Sequence, residues 1–106
     1  MQLPNPDQAV VAPARVRDYL LSFEHPVGRF KAGYQREAWA VLQADLLATA
    51  RLEARAVEPS PFGQKFEVAA MLQGPGGRPL AVRVVWLVRR GEAFPRLITA
   101  YPRAQQ

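Results

Sequence analysis

The sequence predicts an α+β domain, with N-terminal helices packed on a C-terminal three- to four-stranded antiparallel meander sheet. Three observations predict it. Apolar residues recur at helical spacing in the first half of the chain, and they alternate one-on, one-off in the second. Gly- and Pro-rich turns separate the alternating runs. A length of 106 residues, 49% of them hydrophobic, suits one domain with a single packed core. That order, helices first and strands second, is the signature of a helical layer on one face of a sheet.

Residues 1–13 are rich in Pro and Gln and read as a loose lead-in that carries at most a short strand at residues 9–12. The domain proper is expected over residues 14–102, with a tail at 103–106. From Pro13 a helix is expected, because Val16, Tyr19, Leu20 and Phe23 fall on one face and Pro suits a first turn. Pro26 and Gly28 break it. A second helix is expected from about Gln35, with Trp39, Leu42, Leu46 and Ala50 as its apolar stripe, fading near Ala56. Residues 52–57 are either its tail or a further strand.

Beyond Pro61 the period changes to two. Phe66, Val68, Ala70 and Leu72 alternate with Lys65, Glu67, Ala69 and Met71. Gly74, Gly76 and Gly77 then offer the positive φ of a hairpin turn. The next run places Leu80, Val82, Val84, Trp86 and Val88 on one face. Its other face is also largely apolar, which marks a central strand. In the last strand Leu97, Thr99 and Tyr101 are expected on one face, with Arg96, Ile98 and Ala100 on the other.

Composition narrows the function. The chain has no cysteine, so it holds no disulfide and no thiolate metal site. One histidine and scattered carboxylates give no metal-ligand spacing, so no metal and no cofactor are expected. The longest apolar run is too short to cross a bilayer and no signal peptide is legible, so a soluble, cytoplasmic protein without membrane contact is expected. The net charge of +5 is unevenly placed. Residues 60–106 carry seven basic side chains against Glu67 and Glu92, whereas the first 59 residues balance. Twelve of the fourteen cations are arginine, whose planar fork suits phosphate; a GC-rich genome gives the same bias.

No phosphate loop, dinucleotide fingerprint or hydrolase elbow is present. A metal-free phosphate-chemistry set remains. His25 titrates near neutrality and stands beside Pro26 at a helix end. Lys31 follows it. Arg83 and Arg96 offer charge for substrate binding, and Thr99 and Tyr101 offer two hydroxyls about 7 Å apart on one strand face. Each also has a plain structural reading: a capping His25, packing for Thr99 and Tyr101, an edge-blunting charge for Arg96.

The segments "DYLLSFEHPVGRFKA" (18–32), "FGQKFEV" (62–68), "LQGPGGRPLAVRVVW" (72–86) and "PRLITAYP" (95–102) resemble a bacterial domain family of unassigned activity. That family shows His-Pro-x-Gly-x-x-Lys-Ala and Pro-Arg-Leu-Val-Thr-Ala-Tyr-Pro motifs, and the resemblance covers the chain from about Arg15. More distantly, the order helix, His, Lys, meander, Thr-x-Tyr-Pro is similar to the metal-independent ribonuclease toxins of the barnase, colicin and RelE type. That resemblance implies His25 as general acid/base, Lys31 as transition-state cation, Thr99 and Tyr101 as positioning hydroxyls, and Arg83 or Arg96 as an accessory cation. It implies RNA as substrate and a small immunity- or antitoxin-like protein as partner. Lys31-Ala32 runs straight into Gly33, where the family carries a short aromatic-rich stretch. A non-catalytic binding module of the same fold is therefore the second expectation. The sequence leaves the oligomeric state open.

Overall fold

The computed structural model describes residues 1–21, 34–76 and 79–103. The chain forms α1 (Arg15–Leu20), α2 (Trp39–Thr49), β1 (Arg55–Ala56), β2 (Gly63–Gln73), β3 (Pro79–Arg89) and β4 (Arg96–Pro102), with short 3-10 turns at Pro6–Gln8 and Arg36–Ala38. The strands follow the chain order β1-β2-β3-β4 in one sheet, every pair of named strands antiparallel. The α+β meander expected from the periodicity is the observed fold.

The alternation of β2 and β3 decides which face is buried. Phe66, Val68, Ala70 and Leu72 lie opposite Trp86, Val84, Val82 and Leu80, and this inner face packs under the helices. Val16 and Leu20 of α1 and Leu42 and Leu46 of α2 are fully covered there. Two helix positions a turn apart on each helix thus close one continuous core with the inner faces of β2, β3 and β4. Trp86, fully buried, is the largest side chain in it.

Several details depart from the sequence reading. The first helix winds with a π-type turn, in which the Leu21 amide donates to Val16 O at 2.9 Å. Widening the turn keeps Val16 and Leu20 in the core and leaves Tyr19 largely exposed rather than inside. The second helix starts at Trp39 and stops at Thr49, before Ala56, so that Arg55 and Ala56 pair with Glu67 and Phe66 as a strand. Among the described glycines of the β2–β3 turn, neither Gly74 nor Gly76 takes a positive φ; Gly63 and Gly91 do. At Gly91 (φ 82°) the Glu92 amide donates to Arg89 O at 3.0 Å, which is the turn geometry that requires a glycine in its third place.

The lead-in is stitched to the domain. Leu3 and Val11 are buried in the main core. Val10 adds a parallel bridge to the outer edge of β4: its amide donates to Pro95 O at 2.9 Å and its carbonyl accepts from the Leu97 amide at 3.0 Å. Gln43 of α2 donates to Val11 O at 2.7 Å.

Tyr34 ties the segment before α2 to the helix itself through a hydrogen bond to Asp45. Burial, then that hydrogen bond and the nearby negative charge, hold the phenol well above its ordinary value of 10. The folded protein therefore holds this proton more tightly than the unfolded chain does. The resulting stability is fully present below about pH 10 and is lost as pH rises through the folded-state value. Wild type and Tyr34→Phe, compared by urea midpoint from about pH 9 to about pH 11.5, should converge as the phenol ionises. Parallel pH slopes in the two proteins would remove Tyr34 from this linkage.

Candidate functional site

The candidate site is the outer face of the sheet, together with the Tyr19 side chain of α1 that meets it at Thr99. Strand alternation sends Lys65, Glu67 and Ala69 of β2, and Arg83, Val85 and Leu87 of β3, to this side. Thr99 lies opposite Val85, and Tyr101 opposite Arg83. The two hydroxyl residues therefore share a face, as expected, and Arg83 joins them.

Their placement depends on a β-bulge. The β3–β4 register shifts between Val85 and Trp86, so that Trp86 faces Leu97, Val85 faces Thr99, and Ile98 is the extra residue. Leu97 and Ala100 are buried while Thr99 and Tyr101 face outward. Strict alternation had put Leu97 beside Thr99 and Tyr101, with Ala100 opposite. The bulge corrects this by turning the strand over between Leu97 and Thr99, and no local sequence signal marks it.

Tyr19 is the residue that sequence reasoning missed. Its hydroxyl lies 3.3 Å from Thr99 Oγ1, and the Arg15 guanidinium stands 5.4 Å from its ring centre. Spacing alone grouped Tyr19 with its buried neighbour Leu20, and only the π-type turn separates them. A hydroxyl from α1 thus meets a hydroxyl from β4, residues 80 positions apart.

The two arginines chosen as substrate cations are both engaged. Arg83 lies 3.7 Å from Glu67, which also accepts from Arg55 at 2.7 Å. Arg96 grips Glu92 with two bonds, at 2.9 and 3.0 Å, and its guanidinium stacks 5.0 Å from the centre of the Phe94 ring. That grip lowers the Glu92 carboxyl and raises the Arg96 guanidinium, in each case chiefly through the hydrogen bonds between them. Arg96 closes the β3–β4 turn, and Arg83 sits over a shared carboxylate. His25 and Lys31 lie outside the described residues.

Among the described residues, grooves cut the outer face at two places. One, of about 670 Å³, runs between the 57–61 segment and the bulge, with Lys65, Glu67, Val85, Ile98 and Thr99 on its floor. The other, of about 640 Å³, lies beside β1 among Glu53, Arg55, Glu67, Ala69 and Arg83. Glu67 borders both. Among the described residues no group of three or more His, Cys, Asp or Glu side chains is placed to hold a metal, and no helix is long and apolar enough to cross a membrane.

Helices on one face of a four-stranded antiparallel meander define the class: a small α+β domain. A family model described as a domain of unknown function (DUF6883) matches residues 2–104, and the chain belongs to that family. No curated protein and no solved structure matches it.

Proposed function

We propose that this domain is a metal-independent, ribonuclease-like toxin domain that cleaves RNA on the outer face of its sheet. The observation that carries the reading is the contact of the Tyr19 and Thr99 hydroxyls at a groove that Thr99 lines, with the Tyr101–Arg83 pair two residues further along β4. Hydroxyl donors and a cation on a rigid strand suit a phosphodiester whose charge grows as it passes through a phosphorane.

In the reaction the RNA 2′-oxygen forms a bond to its own phosphorus and the bond from phosphorus to the 5′-oxygen breaks. The products are a 2′,3′-cyclic phosphate and a free 5′-hydroxyl. His25 would take the 2′-hydroxyl proton and return a proton to the departing oxygen, with Lys31 neutralising the phosphorane. Thr99 and Tyr101 would hold the phosphate oxygens, and Arg83 would supply accessory charge. The excess of base over acid in the β half supports a polyanion as substrate. In this reading the protein acts in the cytoplasm, and a small immunity-like protein is its natural restraint.

A second reading has its own observation. The Arg83–Glu67 and Arg96–Glu92 pairs satisfy both candidate cations within the fold, which suits a non-catalytic binding module. Purified protein incubated with mixed cellular RNA in EDTA, beside the His25→Ala variant, separates the two. The catalytic reading expects cleavage that survives the chelator and falls by about 100-fold or more in the variant. Intact RNA with both proteins folded would leave the binding module.

A further inference from the structure

Phe62 is the most exposed large apolar residue among the described ones, at 73%. It is also firmly held. In the turn that opens β2, the Ser60 amide donates to Gly63 O at 2.8 Å and the Gly63 amide to Ser60 O at 3.2 Å. The Phe62 amide donates to Ser60 Oγ at 3.2 Å, and its carbonyl accepts from the Arg90 amide at 3.1 Å. Pro61 restricts the chain on one side. Four hydrogen bonds thus fix the backbone that holds an aromatic side chain in water, where core packing gains nothing from it.

Its neighbours along the backbone pairing are cations. Arg89 lies opposite Gly63 in the β2–β3 register, and Arg90 is bonded through its backbone to Phe62 itself. Both side chains are exposed, and among the described residues neither forms an ion pair. Arg89 acts on the Glu92 carboxylate at a distance, but that carboxylate is gripped by Arg96. Lys65, two residues beyond Gly63, continues the positive line onto the floor of the groove that reaches Thr99. This end of the sheet therefore holds the uncommitted cations that Arg83 and Arg96 do not supply.

We propose that Phe62, Arg89 and Arg90 form a stacking platform for single-stranded RNA, with an unpaired base on the Phe62 ring and the flanking phosphates on the two guanidinium groups. An exposed ring accepts any base through its π face, while arginine forks hold the backbone, and base-paired RNA hides the faces that the ring needs. From Phe62 to the level of Glu67 and Thr99 is roughly 17 Å along the strand. A strand seated on the platform would pass over Lys65 into the groove. The proposal deepens the RNA reading above and rests on it.

The test uses the whole protein in EDTA and a fluorescent twelve-nucleotide 2′-O-methyl RNA, which cannot undergo attack by its own 2′-oxygen. Anisotropy titration should show Phe62→Ala weakening binding by about 5- to 100-fold, with Phe62→Trp close to wild type. Arg89→Gln with Arg90→Gln should reduce the slope of log affinity against log salt by about 1.4, as two lost phosphate contacts on a single strand require. Unchanged affinity in Phe62→Ala with an unchanged melting curve overturns the platform. So does preferential binding to duplex RNA, or to anionic phospholipid vesicles at the same salt. Cleavage of unmodified RNA is read separately. Binding through Phe62 without cleavage supports the platform and removes the catalysis, whereas cleavage with Phe62-independent binding does the reverse. No binding to RNA at all removes both.

Discussion

Gly63→Ala should lose about 3 kcal/mol or more of stability, from a single added methyl group. A Cβ at this position would stand 2.1 Å from the carbonyl oxygen of Val88 and 2.9 Å from Arg89 Cα. Both are backbone atoms of the neighbouring strand, so no side chain can swing away to make room. The φ of 147° adds a conformation that L side chains rarely adopt. Relief would require β2 and β3 to separate at their first pair, where Gly63 faces Arg89. For a domain of this size the loss corresponds to a melting temperature lower by roughly 12–24 °C. Thermal melts of wild type and variant measure it. A shift within about 3 °C would mean that the ends of the two strands part without cost. Gly91→Ala is the useful contrast, because a Cβ there meets nothing within 4 Å and only its φ of 82° is unfavourable.

The contrast between those two glycines bears on what the sequence could reveal. Alternation over residues 66–72 and 80–88 located β2 and β3 and chose the inner face, because regular strands repeat every two residues and a misplaced register would expose the whole core. The stripe of Leu42 and Leu46 located α2 for the corresponding reason at period 3.6. Features made by one extra residue were not legible. The bulge at Ile98 and the widened turn of α1 each insert a single position, and no composition rule announces them. They are also what turns Thr99 outward and brings Tyr19 to it. The candidate site was therefore legible only in part: residue type picked out Thr99, Tyr101 and Arg83 on one face, Tyr19 joins Thr99 only through geometry, and His25 and Lys31 lie outside the described residues. The arginines illustrate a different limit. A count of charges sees Arg83, Arg89, Arg90 and Arg96 as equals, while pairing with Glu67 and Glu92 divides them into fixed and available.

Trp86→Ala should come close to unfolding the domain, whereas Trp86→Phe should cost far less than the loss of indole volume suggests. Trp86 is fully buried on the central strand, facing Phe66 on one side and Leu97 on the other. Truncation to alanine empties the middle of the core and should cost about 3–5 kcal/mol, a large share of the 5–15 kcal/mol typical of a domain. The indole carries an opposing cost. Its Nε1–H is buried and finds no acceptor among the described residues. Such a group is stripped of water without compensation, at about 1–3 kcal/mol. Phenylalanine keeps most of the ring contacts and removes the unpaired donor, so the two effects partly cancel and the variant should stay within about 1–2 kcal/mol of wild type. Urea denaturation of the three proteins gives the order directly. A Trp86→Phe loss as large as that of Trp86→Ala would show that the indole N–H is satisfied in solution, by a buried water or by a part of the chain outside the described residues. The strand pairing around Trp86 would then depend on that hydrogen bond as well as on packing.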